Sequence, residues 1–135
     1  MTKPEQIIAA MQAKLTAAGL TFRSDTANPY SFEDCPAVIL DCGDEQPDPV
    51  VGSGFVYWNL AVTLWIVAMG ATPKMAPEIT RAAAMAALYA DRTLGGTAID
   101  ICAGPVNRSI DPDNPALGIA ECIFAIKYRT MEGVA

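Results

Sequence analysis

The side chains that could do chemistry in this sequence are carboxylates and thiols, because the chain contains no histidine. That absence removes the commonest general base and the commonest metal ligand. Asp44, Glu45 and Asp48 form one acidic cluster, and Asp111 with Asp113 forms another. Paired carboxylates can carry out acid–base work or bind calcium. Both clusters lie beside prolines and lack the spacing of a calcium-binding loop, so we interpret them as solvated loop charge.

Four cysteines are present at positions 35, 42, 102 and 122, and none forms a Cys-x-x-Cys motif. Without histidine they cannot complete a mixed zinc site. No secretory signal segment is visible, so we expect folding in a reducing cytoplasm with free thiols. Cys102 and Cys122 lie in apolar segments, which predicts that both are buried. Phosphate-binding and nucleophile motifs are also missing. We therefore expect no enzyme, no metal and no cofactor.

The composition predicts one folded domain. The chain has 135 residues, of which 52% are hydrophobic and 18% are charged, and its net charge is -6. This balance excludes intrinsic disorder, and the length suits one domain over 1–135. A negative surface repels nucleic acid and anionic membranes alike.

The first part of the chain predicts a helix, short strands and a polar segment. Residues 2–18 have a capping-box start and apolar residues at helical spacing, with Gly19 placed to end the helix. Weak alternation over 21–25 suggests a short strand, and the apolar run 37–41 a buried one. Residues 42–54 hold the first acidic cluster, two prolines and three glycines, and predict either a long exposed acidic loop or the arm of a hairpin.

Residues 55–69 carry the strongest β pattern in the chain. Every second residue from Val56 to Ile66 is apolar, whereas the other face mixes polar and aromatic residues. A lone domain covers one sheet face with its helices, so large apolar groups on the second face indicate either contact with another chain or intramolecular cover. The predicted interface residues on this face are Phe55, Tyr57, Trp65 and Val67.

A second, alanine-rich helix is predicted over 75–92. Ile79, Ala83, Ala86 and Ala90 form one stripe, and the other apolar residues lie off it. A helix that is apolar nearly all round is typical of one covered on more than one side. One side can lie on the sheet, and the other then needs a partner chain. We add two residues of this helix to the predicted subunit interface, Met85 and Tyr89.

The C-terminal part predicts two further strands. Residues 97–111 alternate with a break at Gly104 and Pro105, and residues 117–130 alternate between apolar and polar faces. Residues 131–135 are expected to be a loose tail. Strands joined as hairpins, with two helices, predict an α+β fold in which both helices pack on one face of a mainly antiparallel sheet of four to five strands.

This order of elements resembles the tail-terminator proteins of long-tailed bacteriophages, the family often called minor tail protein U. The C-terminal third carries most of the likeness, in the run 94–101, in Gly118-Ile119-Ala120-Glu121-Cys122 and in Tyr128-Arg129-Thr130. The resemblance implies a virion protein, assembled in the host cytoplasm, that forms a ring, expected to be a hexamer. Such a ring caps the tail tube, ends its polymerisation and presents the surface that joins the head.

The resemblance also implies partners. These are identical subunits, the tail tube protein and a head-completion protein, with DNA passing through the ring without specific binding. Asp44, Glu45 and Asp48 would then face the lumen or the tube. Other hypotheses remain open: a head–tail joining or tail-tube protein of the same particle, a small cytoplasmic ligand-binding domain, or an enzyme that uses a carboxylate as acid or base.

Overall fold

A computed structural model describes residues 2–22, 36–48 and 54–131, and it has the predicted α+β architecture. Its order is helix, strand, strand, helix, strand, strand. The elements are α1 (Lys3–Ala17), β1 (Ala37–Asp48), β2 (Phe55–Met69), α2 (Glu78–Tyr89), β3 (Asp100–Asp111) and β4 (Asn114–Met131).

The strands form one antiparallel sheet in the order β1-β2-β4-β3. Both helices pack on the same face, where apolar residues of the two central strands form the main core. Val62 pairs with Phe124 at the middle of this core, and both side chains are buried. The predicted alternation along β2 and β4 is confirmed, because the even-numbered residues of both strands enter the core.

Helix α1 begins as its sequence predicts. The Thr2 hydroxyl accepts a hydrogen bond from the Glu5 N–H, which satisfies one of the unpaired donors of the first turn. Gly19 follows the helix at φ +89°, a left-handed conformation that glycine adopts without a Cβ clash. Ile7, together with Met11 and Leu15, supplies the buried stripe.

Helix α2 is shorter than predicted. Residues 73–77, expected to include its first turn, form tight turns instead, and the helix begins at Glu78 after Pro77. These turns pass so close to β4 that a Cβ on Gly118 would lie 1.7 Å from the Pro73 carbonyl oxygen. The backbone of the turn therefore rests directly on the strand.

Strand β1 extends beyond the predicted residues 37–41. Residues 42–48 continue the strand as one arm of a hairpin with β2, so they are not a loop. They are mostly exposed, as predicted, and residues 49–53 lie outside the described residues. The short strand predicted at 21–25 is represented by a single bridge between Phe22 and Val38, and 23–25 are not described. Met131 belongs to β4 and is not part of a tail, while 132–135 are not described.

The two hairpins are arranged as an internal repeat. The two edge strands share one register shift in the same place: the shift at Gly43 in β1 recurs at Gly104 in β3, 61 positions later, and β3 has a second shift at its end, between Ile110 and Asp111. The central strands β2 and β4 lie side by side and antiparallel. A half-turn about an axis normal to the sheet therefore exchanges one helix–strand–strand unit with the other.

The contacts at the two bulges support this pseudo-twofold symmetry. A Cβ on Gly43 would lie 2.9 Å from the Ala61 oxygen, and a Cβ on Gly104 would lie 2.9 Å from the Ile123 oxygen. These two oxygens belong to equivalent residues of β2 and β4. The axis passes through the central Val62–Phe124 pair. Each bulge is thus held against the neighbouring strand at a position where only glycine fits without displacement.

Candidate interaction surfaces

The sheet face opposite the helices, which we call the open face, carries the aromatic residues predicted at an interface. Trp65 is half-buried near one end of this face. It packs against a second, smaller cluster of buried residues: Ala37, Val67, Leu117 and Ile119. Because both helices lie on the other face, the indole remains partly accessible.

At the other end of the open face, cationic side chains lie over aromatic rings. The Arg129 guanidinium lies 4.6 Å from the centre of the Phe55 ring, and the Lys127 ammonium 5.7 Å from that of Tyr57. Lys127 also forms an ion pair with Asp48 at 3.4 Å. Each cation–π contact at an exposed site stabilises the fold by about 0.5–1 kcal/mol. These two aromatic residues therefore have partners within their own chain.

Mainly small side chains occupy the middle of the open face, together with one isoleucine. Ala61 and Thr63 of β2 lie beside Ala125, which is exposed, and half-buried Ile123 of β4. Tyr57 and Trp65 bound this stretch, and eight residues of strand separate them by about 26 Å. We call this stretch between the two aromatic ends the trough.

Helix α2 presents a second apolar surface on the other side of the molecule. Ile79 is 86% exposed, and Ala83, Ala86 and Ala90 of the predicted stripe are exposed as well. Ala84 and Leu88 face the sheet instead. The stripe therefore points away from its own core, along a helix of 12 residues that is about 18 Å long.

Three of the predicted interface residues are not placed as expected. Val67 is fully buried, so it cannot contact another subunit. Met85 and Tyr89 are half-buried and pack against the main core rather than outward. The Tyr89 hydroxyl oxygen accepts a hydrogen bond from the Ala103 N–H at 2.6 Å. The helix is apolar, as predicted, but the two residues predicted at the interface, Met85 and Tyr89, are on the side that packs against the core.

The predicted acidic residues do not act as one group. Asp44 lies in the β1 bulge, and Asp48 is half-buried beside its lysine partner on the open face. Glu45 lies on the helix side and accepts a hydrogen bond from the Tyr128 hydroxyl. Burial and this carboxylate together raise the pKa of Tyr128. The predicted contact of these residues with a lumen or a tube stays a prediction.

The three thiols of the described residues give no sign of an activated nucleophile, and Cys35 lies outside those residues. Cys122 is buried, and burial raises its pKa. Cys42 and Cys102 are exposed, which corrects the prediction that Cys102 is buried. That residue lies on an edge strand with its side chain on the open face, where no helix covers it. Within the described ranges, acidic and cysteine side chains do not gather in any group of three that could hold a metal ion.

An ion-pair cluster joins the start of α2 to β3. The Arg81 guanidinium donates to the Glu78 carboxylate at 2.9–3.2 Å, and Arg108 donates to the same carboxylate. The Arg81 hydrogen bonds, followed by that from Arg108, lower the pKa of Glu78 from 4.5 to about 2. The carboxylate thus fastens the helix to the edge of the sheet.

We expect this cluster to make stability depend on pH. A carboxylate with a lowered pKa stabilises the fold above pH 4.5, and that contribution is lost as the pH falls toward 2. Because the Glu78 side chain is 26% exposed, we expect it to contribute about 1 kcal/mol to the free energy of unfolding, which is less than its pKa shift alone implies. Urea unfolding of Glu78→Gln at pH 7 should show this loss, and the difference from the wild type should shrink toward pH 2. Asp113→Asn, in an exposed turn, is the control, and a difference that persists at pH 2 would contradict the assignment.

The sequence matches no protein-family model and no curated protein. Neither described helix combines the length and apolar character that crossing a membrane requires. The surfaces described above are therefore the basis for a function.

Proposed function

We propose that this chain is a structural subunit of a ring that caps the tail tube of a long-tailed bacteriophage. The ring would end tube polymerisation and offer the surface to which the head attaches. One observation carries the proposal: the molecule has two exposed apolar surfaces on opposite sides, the trough of the open face and the α2 stripe. Such a pair supports head-to-tail contacts between copies, which close into a ring when the rotation between subunits allows it.

The two surfaces are compatible in length and in the size of most side chains. The α2 stripe is built mainly from alanines, so the helix can approach another surface closely. The trough is lined mainly by the small residues Ala61, Thr63 and Ala125, together with Ile123, and its length exceeds that of α2. Seating the stripe of one copy in the trough of the next would give each sheet a helix on both faces. Trp65 at the end of the trough would then be covered, as the large apolar residues of an interface core usually are.

The charge of the chain suits a channel for DNA. Six copies at -6 each would carry a net charge of about -36. Like charge keeps a passing duplex from binding to the wall. The acidic arm of β1 has mostly exposed residues, and in the proposed ring it lies toward the lumen or the tube. The expected protein partners are the tail tube protein and a head-completion protein.

Mixing two variants tests the head-to-tail contact. Trp65→Asp removes the trough surface but leaves the stripe, and Ile79→Asp does the opposite. Each variant alone should be monomeric at 14.3 kDa in native mass spectrometry, whereas the wild type forms a ring. An equimolar mixture retains one intact contact per pair, so it should form one-to-one dimers and no larger species.

The control is Ala13→Asp, which places the same charge on an exposed position of α1 and should leave the ring intact. Unfolding curves of all variants check that each one is folded. Dimers in either single variant, or rings in the mixture, would contradict a contact between these two surfaces. The role in the virion is tested separately by electron microscopy of particles that carry Trp65→Asp. Loss of the cap predicts tails of uncontrolled length, and tails of normal length would overturn the terminator role.

A further inference from the structure

The two edges of the sheet differ in how their backbone groups are satisfied. On the outer edge of β3, the Ala103 N–H donates to the Tyr89 hydroxyl oxygen at 2.6 Å. The Ile101 carbonyl accepts a hydrogen bond from the Arg92 guanidinium at 3.1 Å. The end of α2 and the turn after it thus occupy the groups that another strand would use. Natural proteins protect exposed edges in this manner.

The equivalent edge of β1 is covered less by the described residues, of which Thr21 and Phe22 lie against it at Val38. The pseudo-twofold symmetry matches Leu40 with Ile101 and Cys42 with Ala103. The Val38 N–H points outward and donates to the Thr21 carbonyl at 2.9 Å. Because backbone groups alternate in direction along a strand, those of Leu40 and Cys42 also point outward. Across residues 2–22, 36–48 and 54–131, neither of these two backbones is hydrogen-bonded on that side.

A hollow lies beside this edge, between α1 and the exposed arm of β1. It has a volume of about 420 Å³ and a partly apolar lining. The lining residues are Pro4, Glu5, Ile8, Ala9, Gln12 and Cys42. A strand added to β1 would direct every second side chain toward this hollow.

The charge around the edge is of one sign. Residues 36–48 include Asp41, Asp44, Glu45 and Asp48 but no lysine or arginine. Asp41 and Asp44 form no ion pair with any of the described residues. A strand added here would direct its other side chains to the open face, where Asp41 and Asp48 lie. Basic side chains at those positions would complement the edge, and acidic ones would be repelled.

We propose that the outer edge of β1 binds an extended segment of a partner protein and takes it into the sheet as a fifth strand. The segment has apolar residues facing the hollow and lysine or arginine residues facing the open side. Main-chain hydrogen bonds to Leu40 and Cys42 supply affinity, and the alternate side chains supply specificity. This binding goes beyond ring formation, which uses the trough and the α2 stripe.

Fluorescence anisotropy with a labelled synthetic peptide tests the proposal. The probe is a peptide of about eight alternating lysine and valine residues, long enough for one strand. The full-length protein should bind it and should not bind the matching glutamate–valine peptide. N-methylation of all the peptide nitrogens should abolish binding, because it removes the donors that pair with β1.

Charge reversal locates the site. The double variant Asp41→Lys and Asp44→Lys should weaken binding by at least about tenfold. The matched control, Asp111→Lys and Asp113→Lys at the other end of the sheet, should change it by less than about twofold. The Trp65→Asp variant should bind the peptide as the wild type does. Peptide binding can therefore be judged independently of whether the protein forms a ring. The proposal would be overturned if the wild type did not bind the lysine–valine peptide. It would also be overturned if the N-methylated peptide bound as strongly, or if the Asp41/Asp44 double variant bound the lysine–valine peptide as strongly as the wild type does.

Discussion

Gly118→Ala is expected to destabilise the protein by at least about 3 kcal/mol, which is a large part of the free energy of unfolding of a domain of ordinary stability. The added Cβ would lie 1.7 Å from the Pro73 carbonyl oxygen and 3.3 Å from Cδ of Pro77. The first of these atoms belongs to the backbone, so the clash cannot be relieved by rotating a side chain. Either β4 or the turn before α2 must move. Urea unfolding monitored by circular dichroism gives the change in the free energy of unfolding.

Gly19→Ala is the matched control for this substitution. A Cβ on Gly19 would meet nothing within 4 Å, but the residue has φ +89°. The expected cost is that of a left-handed conformation alone, about 1–2 kcal/mol. Equal losses in the two variants would show that the turn does not rest on β4 as described. A selective loss at Gly118 would show that the close approach is present in solution.

Phe124→Ala is expected to cost about 4 kcal/mol, because it leaves a cavity at the centre of the core. Phe124 is 1% exposed and pairs with Val62 on the axis that relates the two halves. Residues of both hairpins and both helices belong to the cluster around it. The cavity therefore weakens every element at once, and few side chains can move to fill it.

Phe124→Leu provides the comparison, since it removes less volume and should cost about 1–1.5 kcal/mol. Both values come from urea unfolding at pH 7. If the alanine variant lost less than about 1.5 kcal/mol, Phe124 would not lie at a close-packed centre.

The elements with strong apolar alternation could be predicted from the sequence. Strand β2 has the predicted bounds of 55–69, and β4 has the predicted faces, because burial of one face fixes which residues point inward. Helix α1 was predictable because its cap, its first-turn proline and its closing glycine each have a local effect. Propensity, pattern and packing agree in these segments.

The polar arm of β1 could not be predicted with the same certainty. Residues 42–48 combine acidic residues, Pro47 and Gly43, all of which disfavour strands in isolation. They form a strand because β2 is long enough to offer them a pairing partner. The start of α2 was misplaced for a related reason. Residues 73–77 suit a first helical turn, but their close contact with Gly118 of β4 holds them in tighter turns.

Two features of the candidate surfaces also depend on tertiary structure. The sequence shows that Val67 and Met85 are apolar, but not whether their own chain covers them. The internal repeat is not apparent from the sequence because its matched strand positions share only two identical pairs, Gly43 with Gly104 and Met69 with Met131. Strand register reveals the repeat because it compares backbone positions rather than side chains.

The two edges of the sheet differ in how their outward backbone groups are hydrogen-bonded, and this difference has a consequence for growth by strand addition. A subunit with two unprotected borders could pair with further strands on both sides, and the resulting sheet could then polymerise without limit. Here Tyr89 and Arg92 close one border, while on the other the backbones of Leu40 and Cys42 have no outward hydrogen-bond partner among the described residues. Strand addition would therefore occur at one border only, and it would stop after one added strand unless that strand has an unpaired border of its own.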